Sequence, residues 1–156
     1  MKAASAKEIK LALAERTPRE LLGLCLHLSR FKKENKELLT YLLFEAEDED
    51  SYIASIKVLI DTGFEELNTK NLYFVKKSIR GILKNVKKYI RYSKKKETEV
   101  ELLIYFCQKL GSFSGYLNRS LVLRNMYDRQ LSMVKKRIET LHEDLQYDYM
   151  LDVREL

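Results

Sequence analysis

Between Ser5 and Leu145, apolar residues recur at steps of three and four, the period of a helix with one buried face. The longest run of this kind lies within Leu67–Lys96, where Leu72, Val75, Ile79, Ile82, Leu83, Val86 and Ile90 fall on one side of a helix. Lys76, Arg80, Lys84, Lys87, Arg91 and Lys95 step in the same way along another side. One helix therefore carries an apolar stripe for a core and a basic stripe for water or a partner. Gly81, inside it, costs roughly 1 kcal/mol against alanine. It predicts a close crossing by a neighbouring helix or a bend.

Around this helix the pattern predicts others. Ser5–Glu15 forms a short first helix. Thr17-Pro18-Arg19-Glu20 opens a second: Thr17 caps, Pro18 suits the first helical position, and Glu20 returns a bond to the cap. Leu21, Leu22, Leu24, Cys25, Leu26 and Leu28 make that helix apolar on most sides, which predicts a central position. Asn35 is the expected cap of a third helix. Asp50 or Ser51 is the expected cap of a fourth, with Gly63 as its stop. Thr98-Glu99-Val100-Glu101 reads as a second capping box, ahead of Leu102, Leu103, Ile104, Phe106, Cys107 and Leu110. A last helix is expected from Asn118 or Ser120 to Leu145, about 40 Å long. The tail, 147–156, alternates apolar residues with acids and either docks or frays, as the first four residues do. The expected core includes Leu22, Leu26, Leu39, Leu43, Ile56, Ile79, Val86, Leu103, Phe106, Leu131 and Ile138.

The fold class that follows is all-α: one domain over 1–156, with six or seven helices in an irregular bundle or a short right-handed α-α superhelix. Thr17-x-x-Glu20-Leu21-Leu22 matches Thr98-x-x-Glu101-Leu102-Leu103, and Asn35–Leu39 loosely matches Asn118–Val122, so 17–44 and 98–127 form a candidate repeat. Stacked helical hairpins of that kind resemble the HEAT and armadillo class in general pattern, without carrying a family motif.

Composition agrees with long helices, since one proline and five glycines leave few breaks. Charge adds an asymmetry. Leu67–Lys96 holds eleven positive side chains and no acid, while Glu45, Glu47, Asp48, Glu49 and Asp50 form an acidic run. The net charge of +6 is thus concentrated in one segment. Cys25 and Cys107, each among apolar residues, predict buried reduced thiols and a cytoplasmic protein. Charges interrupt the N-terminus before any secretory core forms, and no run has the ~20 apolar residues of a membrane span.

Catalytic signals are few. His27 lies between leucines, and Glu139-x-x-His142 is a single copy of a motif that a di-iron bundle needs twice. There is no phosphate loop, nucleophile elbow or Cys-x-x-Cys. The sequence predicts no catalytic residue, cofactor or metal site. Its candidate site is the basic face of Lys76, Arg80, Lys84, Lys87, Lys88 and Arg91. An acidic protein surface or self-association is the expected partner of a non-catalytic interaction or scaffold protein. Nucleic acid is the alternative, with Tyr73, Phe74, Tyr89 and Tyr92 interleaved for base stacking. An enzyme with an unrecognised carboxylate site is the third reading.

Overall fold

The computed structural model describes all residues, Met1–Leu156. Helix accounts for 82 % of them and no strand is present, as the three–four periodicity predicts. There are nine α-helices rather than six or seven. The chain divides into two compact units, Met1–Phe44 and Glu45–Leu156.

The first unit holds α1 (Ala6–Ala14), α2 (Pro18–Phe31) and α3 (Lys33–Thr40), followed by a π-helical turn that starts at Tyr41. Both α1 and α2 begin with a full capping box. Ser5 and Glu8 exchange bonds in one, Thr17 and Glu20 in the other, and Pro18 sits in the first turn. Asn35 does not cap α3. Lys32, in extended conformation, starts that helix, and the Asn35 amide instead donates to the Leu28 carbonyl at 2.8 Å, tying α3 to α2.

The central position expected of α2 is not found. None of α1, α2 and α3 contains a buried residue, and Leu22 and Leu43 are 60 % and 63 % exposed. Leu26 is also exposed and Leu39 half-buried. The cause is geometric: α2 is apolar around its circumference, and within the unit only the eight-residue α3 packs closely on it. Cys25, on the same helix, is exposed rather than buried.

The second unit is built on α6 (Lys96–Ser112). Val100, Leu102, Leu103, Ile104, Phe106, Cys107 and Leu110 are all buried and cover more than half of its circumference. Around it lie α4 (Glu49–Glu65), α5 (Leu72–Ser93), α7 (Ser114–Arg119), α8 (Leu121–Ile138) and α9 (Glu143–Arg154). The apolar stripes of α4 (Tyr52, Ile53, Ile56, Ile60, Phe64) and α5 (Val75, Ile79, Leu83, Val86) face this core. Ile56, Ile79, Val86, Leu103, Phe106 and Ile138 are buried as expected, whereas Leu131 is only half-buried.

The extra helices come from breaks that carry no proline. The long last helix stops at Ile138, where the Thr140 hydroxyl folds back onto the Arg137 carbonyl at 2.8 Å. His142 then opens α9, and Gln146 donates to the Leu141 carbonyl at 2.8 Å. The segment 147–156 makes up most of α9, with Val153 buried. At the other end of the unit Asp48, rather than Asp50 or Ser51, caps α4 by accepting from the Ser51 amide at 3.0 Å. Lys94, in the left-handed conformation at φ 59°, closes α5.

Neither Gly63 nor Gly81 takes its expected role. Gly63 does not stop α4 but lies inside it, where a Cβ would stand 2.9 Å from Ile82 Cγ1 of α5. Gly81 is exposed with nothing within 4 Å of a Cβ, so no neighbour crosses there. Gly81→Ala is accordingly expected to raise stability by up to ~1 kcal/mol, while Gly63→Ala gains nothing because Ile82 must move. Urea denaturation of the two variants beside the parent checks this, and a Gly81→Ala protein less stable than the parent contradicts it.

Candidate functional site

The basic stripe is set by the same periodicity that buries the other side of α5. Asn71 caps the helix by accepting the Phe74 amide at 3.1 Å, and the stripe of Val75, Ile79, Leu83 and Val86 fixes its rotation against the core. Arg80, Lys84 and Arg91 are then exposed, while Lys76, Lys87 and Lys88 are half-buried. Lys88 leaves the group. Its ammonium lies 4.6 Å from the centroid of the Tyr89 ring, and Tyr89 lines a cleft towards α4 with Ile56, Ile60 and Ile82. Lys76, Arg80, Lys84, Lys87 and Arg91 remain, and none of them makes an ion pair within the fold.

Their neighbour is a helix that the sequence did not implicate. Both α5 and α8 rest on α6, α8 more extensively, without packing closely on each other. A groove of about 340 Å³ lies between them. Arg80, Leu83 and Lys87 line one side; Val122, Asn125, Met126, Arg129 and Gln130 line the other. Burial pushes the Lys87 ammonium below the ordinary lysine value, the nearby Arg129 guanidinium acts in the same direction, and Glu99 opposes them. Glu99 is itself held by Arg137 at 2.7 Å. The positive charge of the groove is therefore largely uncompensated. Gln130 is 1 % exposed. Its Nε2 donates to the Met126 carbonyl at 3.1 Å, and its Oε1 is buried without a donor.

Two members of the acidic run, Asp48 and Glu49, are occupied elsewhere. Asp48 caps α4, and Glu49 accepts from the hydroxyls of Ser93 and Thr98 and pairs with Lys95 at 2.9 Å, beyond the end of α5. The aromatic residues separate as well. Tyr92 is buried, Tyr89 faces the α4 cleft, and Tyr73 is 63 % exposed. Tyr73 precedes Arg80 by seven residues and Lys84 by eleven, which places it on the basic side of the helix. Its ring meets that of Phe74 edge-on, at 5.4 Å between centroids.

Other polar clusters bind helices to one another. Lys109 donates to Asp61 at 2.7 Å and Tyr105 donates to both Asp61 oxygens at 2.8 Å, joining α6 to α4. The Lys109 hydrogen bond holds the Asp61 carboxyl below its ordinary value, and burial together with Asp61 pushes the Tyr105 phenol up. Burial also pushes the Cys107 thiol up to about 12. His27 is exposed, and the exposed His142 accepts the Asp144 amide at 3.5 Å as the cap of α9. No three His, Cys, Asp or Glu side chains converge, and no helix is long and apolar enough to cross a membrane.

In the first unit Cys25, Leu28, Leu38, Leu39 and Leu42 line an apolar cleft of about 240 Å³ between α2 and the segment that follows it. Phe31 and Phe44, at 69 % and 75 % exposure, project from the same unit. Against known proteins, no family model, no curated sequence and no solved structure matches this chain.

Proposed function

We propose that the protein is a non-catalytic helical interaction protein that associates with a second copy of itself through its N-terminal unit. The observation that carries this reading is the exposure of Leu22, Leu24, Leu26, Leu28 and Phe31, five large apolar residues on one 14-residue helix. Leu24, Leu28 and Phe31 fall on one side of α2 and Leu22 and Leu26 on the other. A helix apolar on all sides is ordinarily enclosed by other elements, and large apolar residues left exposed together mark an interaction site. The charges on α2 do not select an oppositely charged partner. They amount to Arg19, Glu20 and Arg30, with Glu20 already paired to Arg16 at 3.3 Å. The unit offers both halves of an apolar contact, a cleft beside Leu28 and projecting phenylalanines. A two-fold arrangement would make that contact twice.

Sedimentation velocity of the full chain from low to high micromolar concentration tests the reading. The parent is expected to sediment as a dimer or higher species. Leu28→Glu combined with Phe31→Glu is expected to sediment as a monomer with unchanged helical signal, because neither side chain is buried in the fold. A parent that stays monomeric, or a double variant that keeps the parent's mass, removes self-association.

A further inference from the structure

We propose that the face made by Arg80, Lys84, Lys87 and Arg91 of α5, with Arg129 of α8 across the groove, binds single-stranded nucleic acid, and that Tyr73 stacks a base at one end. The cations on α5 follow one another at steps of three and four residues, which spreads them over about 16 Å of helix. That is a line of charge able to track several phosphates, rather than a pocket for a single anion. Arg129 supplies the opposite wall, so the strand lies between two helices. These cations carry no internal ion pair, and Glu99, the acid that acts on Lys87, is held by Arg137.

Two features favour a nucleic acid over an acidic protein. The first is Tyr73, an exposed ring on the same side as the charges, because each base has a π-face to lay on it and a carboxylate side chain has none. The second is Gln130, which lines the groove and whose buried Oε1 lacks a donor. Nucleotides bring sugar hydroxyls or base amino groups as well as phosphates. A single strand fits better than a duplex, since stacking on Tyr73 requires an unpaired base.

The test is fluorescence anisotropy of the full chain with a labelled 12-nucleotide poly-U RNA, the matching DNA strand, a DNA duplex and polyglutamate. With four or five phosphates neutralised, affinity for the single strands is expected to fall about 50–130-fold between 50 and 200 mM salt. Lys84→Glu/Lys87→Glu/Arg91→Glu should abolish binding at the higher salt with the helical signal intact. Should Lys87→Glu disturb the half-buried site, Lys84→Glu/Arg91→Glu/Arg129→Glu uses only exposed positions and must give the same loss. Tyr73→Ala should weaken single-strand binding about tenfold without changing the salt slope. Polyglutamate bound as tightly as RNA, duplex preferred over single strand, or Tyr73→Ala without effect overturns the proposal. So does a parent that binds no strand at 50 mM salt.

Discussion

Phe106→Ala is expected to destabilise the second unit by about 3–5 kcal/mol, a large share of the ~5–15 kcal/mol that holds an ordinary domain together. Phe106 is wholly buried in α6, the helix on which the rest of this unit packs. Its ring centroid lies 5.8 Å from that of Phe64 on α4, at an interplanar angle of 53°. Truncation removes the transfer free energy of the ring and the tilted aromatic pair, the latter alone contributing ~0.5–1.5 kcal/mol. It also leaves a cavity between helices held apart by Leu102, Leu103 and Leu110, all buried alongside. Urea denaturation should show a lower midpoint with an unchanged slope. Leu22→Ala in α2 is the internal contrast: its side chain is 60 % exposed in the single chain, so at concentrations where the protein is monomeric its cost should be within about 0.5 kcal/mol. Equal losses in the two variants would mean that the core is not centred on α6.

That contrast also marks where sequence pattern stops being informative. On α5 the reading carries over to the structure: its periodicity places the buried stripe on Val75, Ile79 and Val86, and Asn71 and Ser93 bound it within a few residues of the expected ends. Periodicity states that a helix has an apolar side. It does not state whether another element is present to cover that side. For this reason α2 and α6, both leucine-rich and both introduced by Thr-x-x-Glu-Leu-Leu, look equivalent in sequence. One is exposed and the other is the centre of its unit. The break between α8 and α9 was hidden for a related reason. The residues that make it, Thr140, His142 and Gln146, are not helix breakers, and they act through side-chain bonds to carbonyls and amides.

The candidate site divides in the same way. Five members of the basic face, Lys76, Arg80, Lys84, Lys87 and Arg91, follow from helical spacing alone, and Lys88 departs because its position turns it towards Tyr89. Arg129 and Gln130 could not be found from the stripe. They reach the groove only because α5 and α8 share α6 as a support, a relation between residues more than forty positions apart in the chain, Lys87 and Arg129 among them. Gly63 was missed by the same logic: the close approach that Gly81 seemed to announce occurs one residue further along α5, at Ile82, and the glycine that permits it belongs to α4.

Thr98→Val is expected to cost about 1–3 kcal/mol, and its dependence on Glu49 separates the role seen in the structure from the capping role suggested by sequence. As a cap, Thr98 would lie outside the helix and bond only to its own first turn. Instead α6 begins at Lys96, Lys95 occupies the cap position without a side-chain bond, and Thr98 is fully buried. Its hydroxyl donates to Glu49 Oε1, the Ser93 hydroxyl donates to the same atom, and Lys95 pairs with the other oxygen at 2.9 Å. One carboxylate on α4 thereby gathers the end of α5 and the start of α6. Valine keeps the shape of threonine and removes the donor, so the loss reports the hydrogen bond rather than a cavity. Glu49→Ala removes the common acceptor and leaves both hydroxyls without it. Once Glu49 is gone, Thr98→Val has less left to lose, and the two changes should be sub-additive by about 0.5 kcal/mol or more in a double-mutant cycle. A bond confined to the helix's own backbone predicts simple additivity. A coupling within the ~0.3 kcal/mol expected of independent sites would return Thr98 to an ordinary helix-start residue and dissolve the three-helix junction.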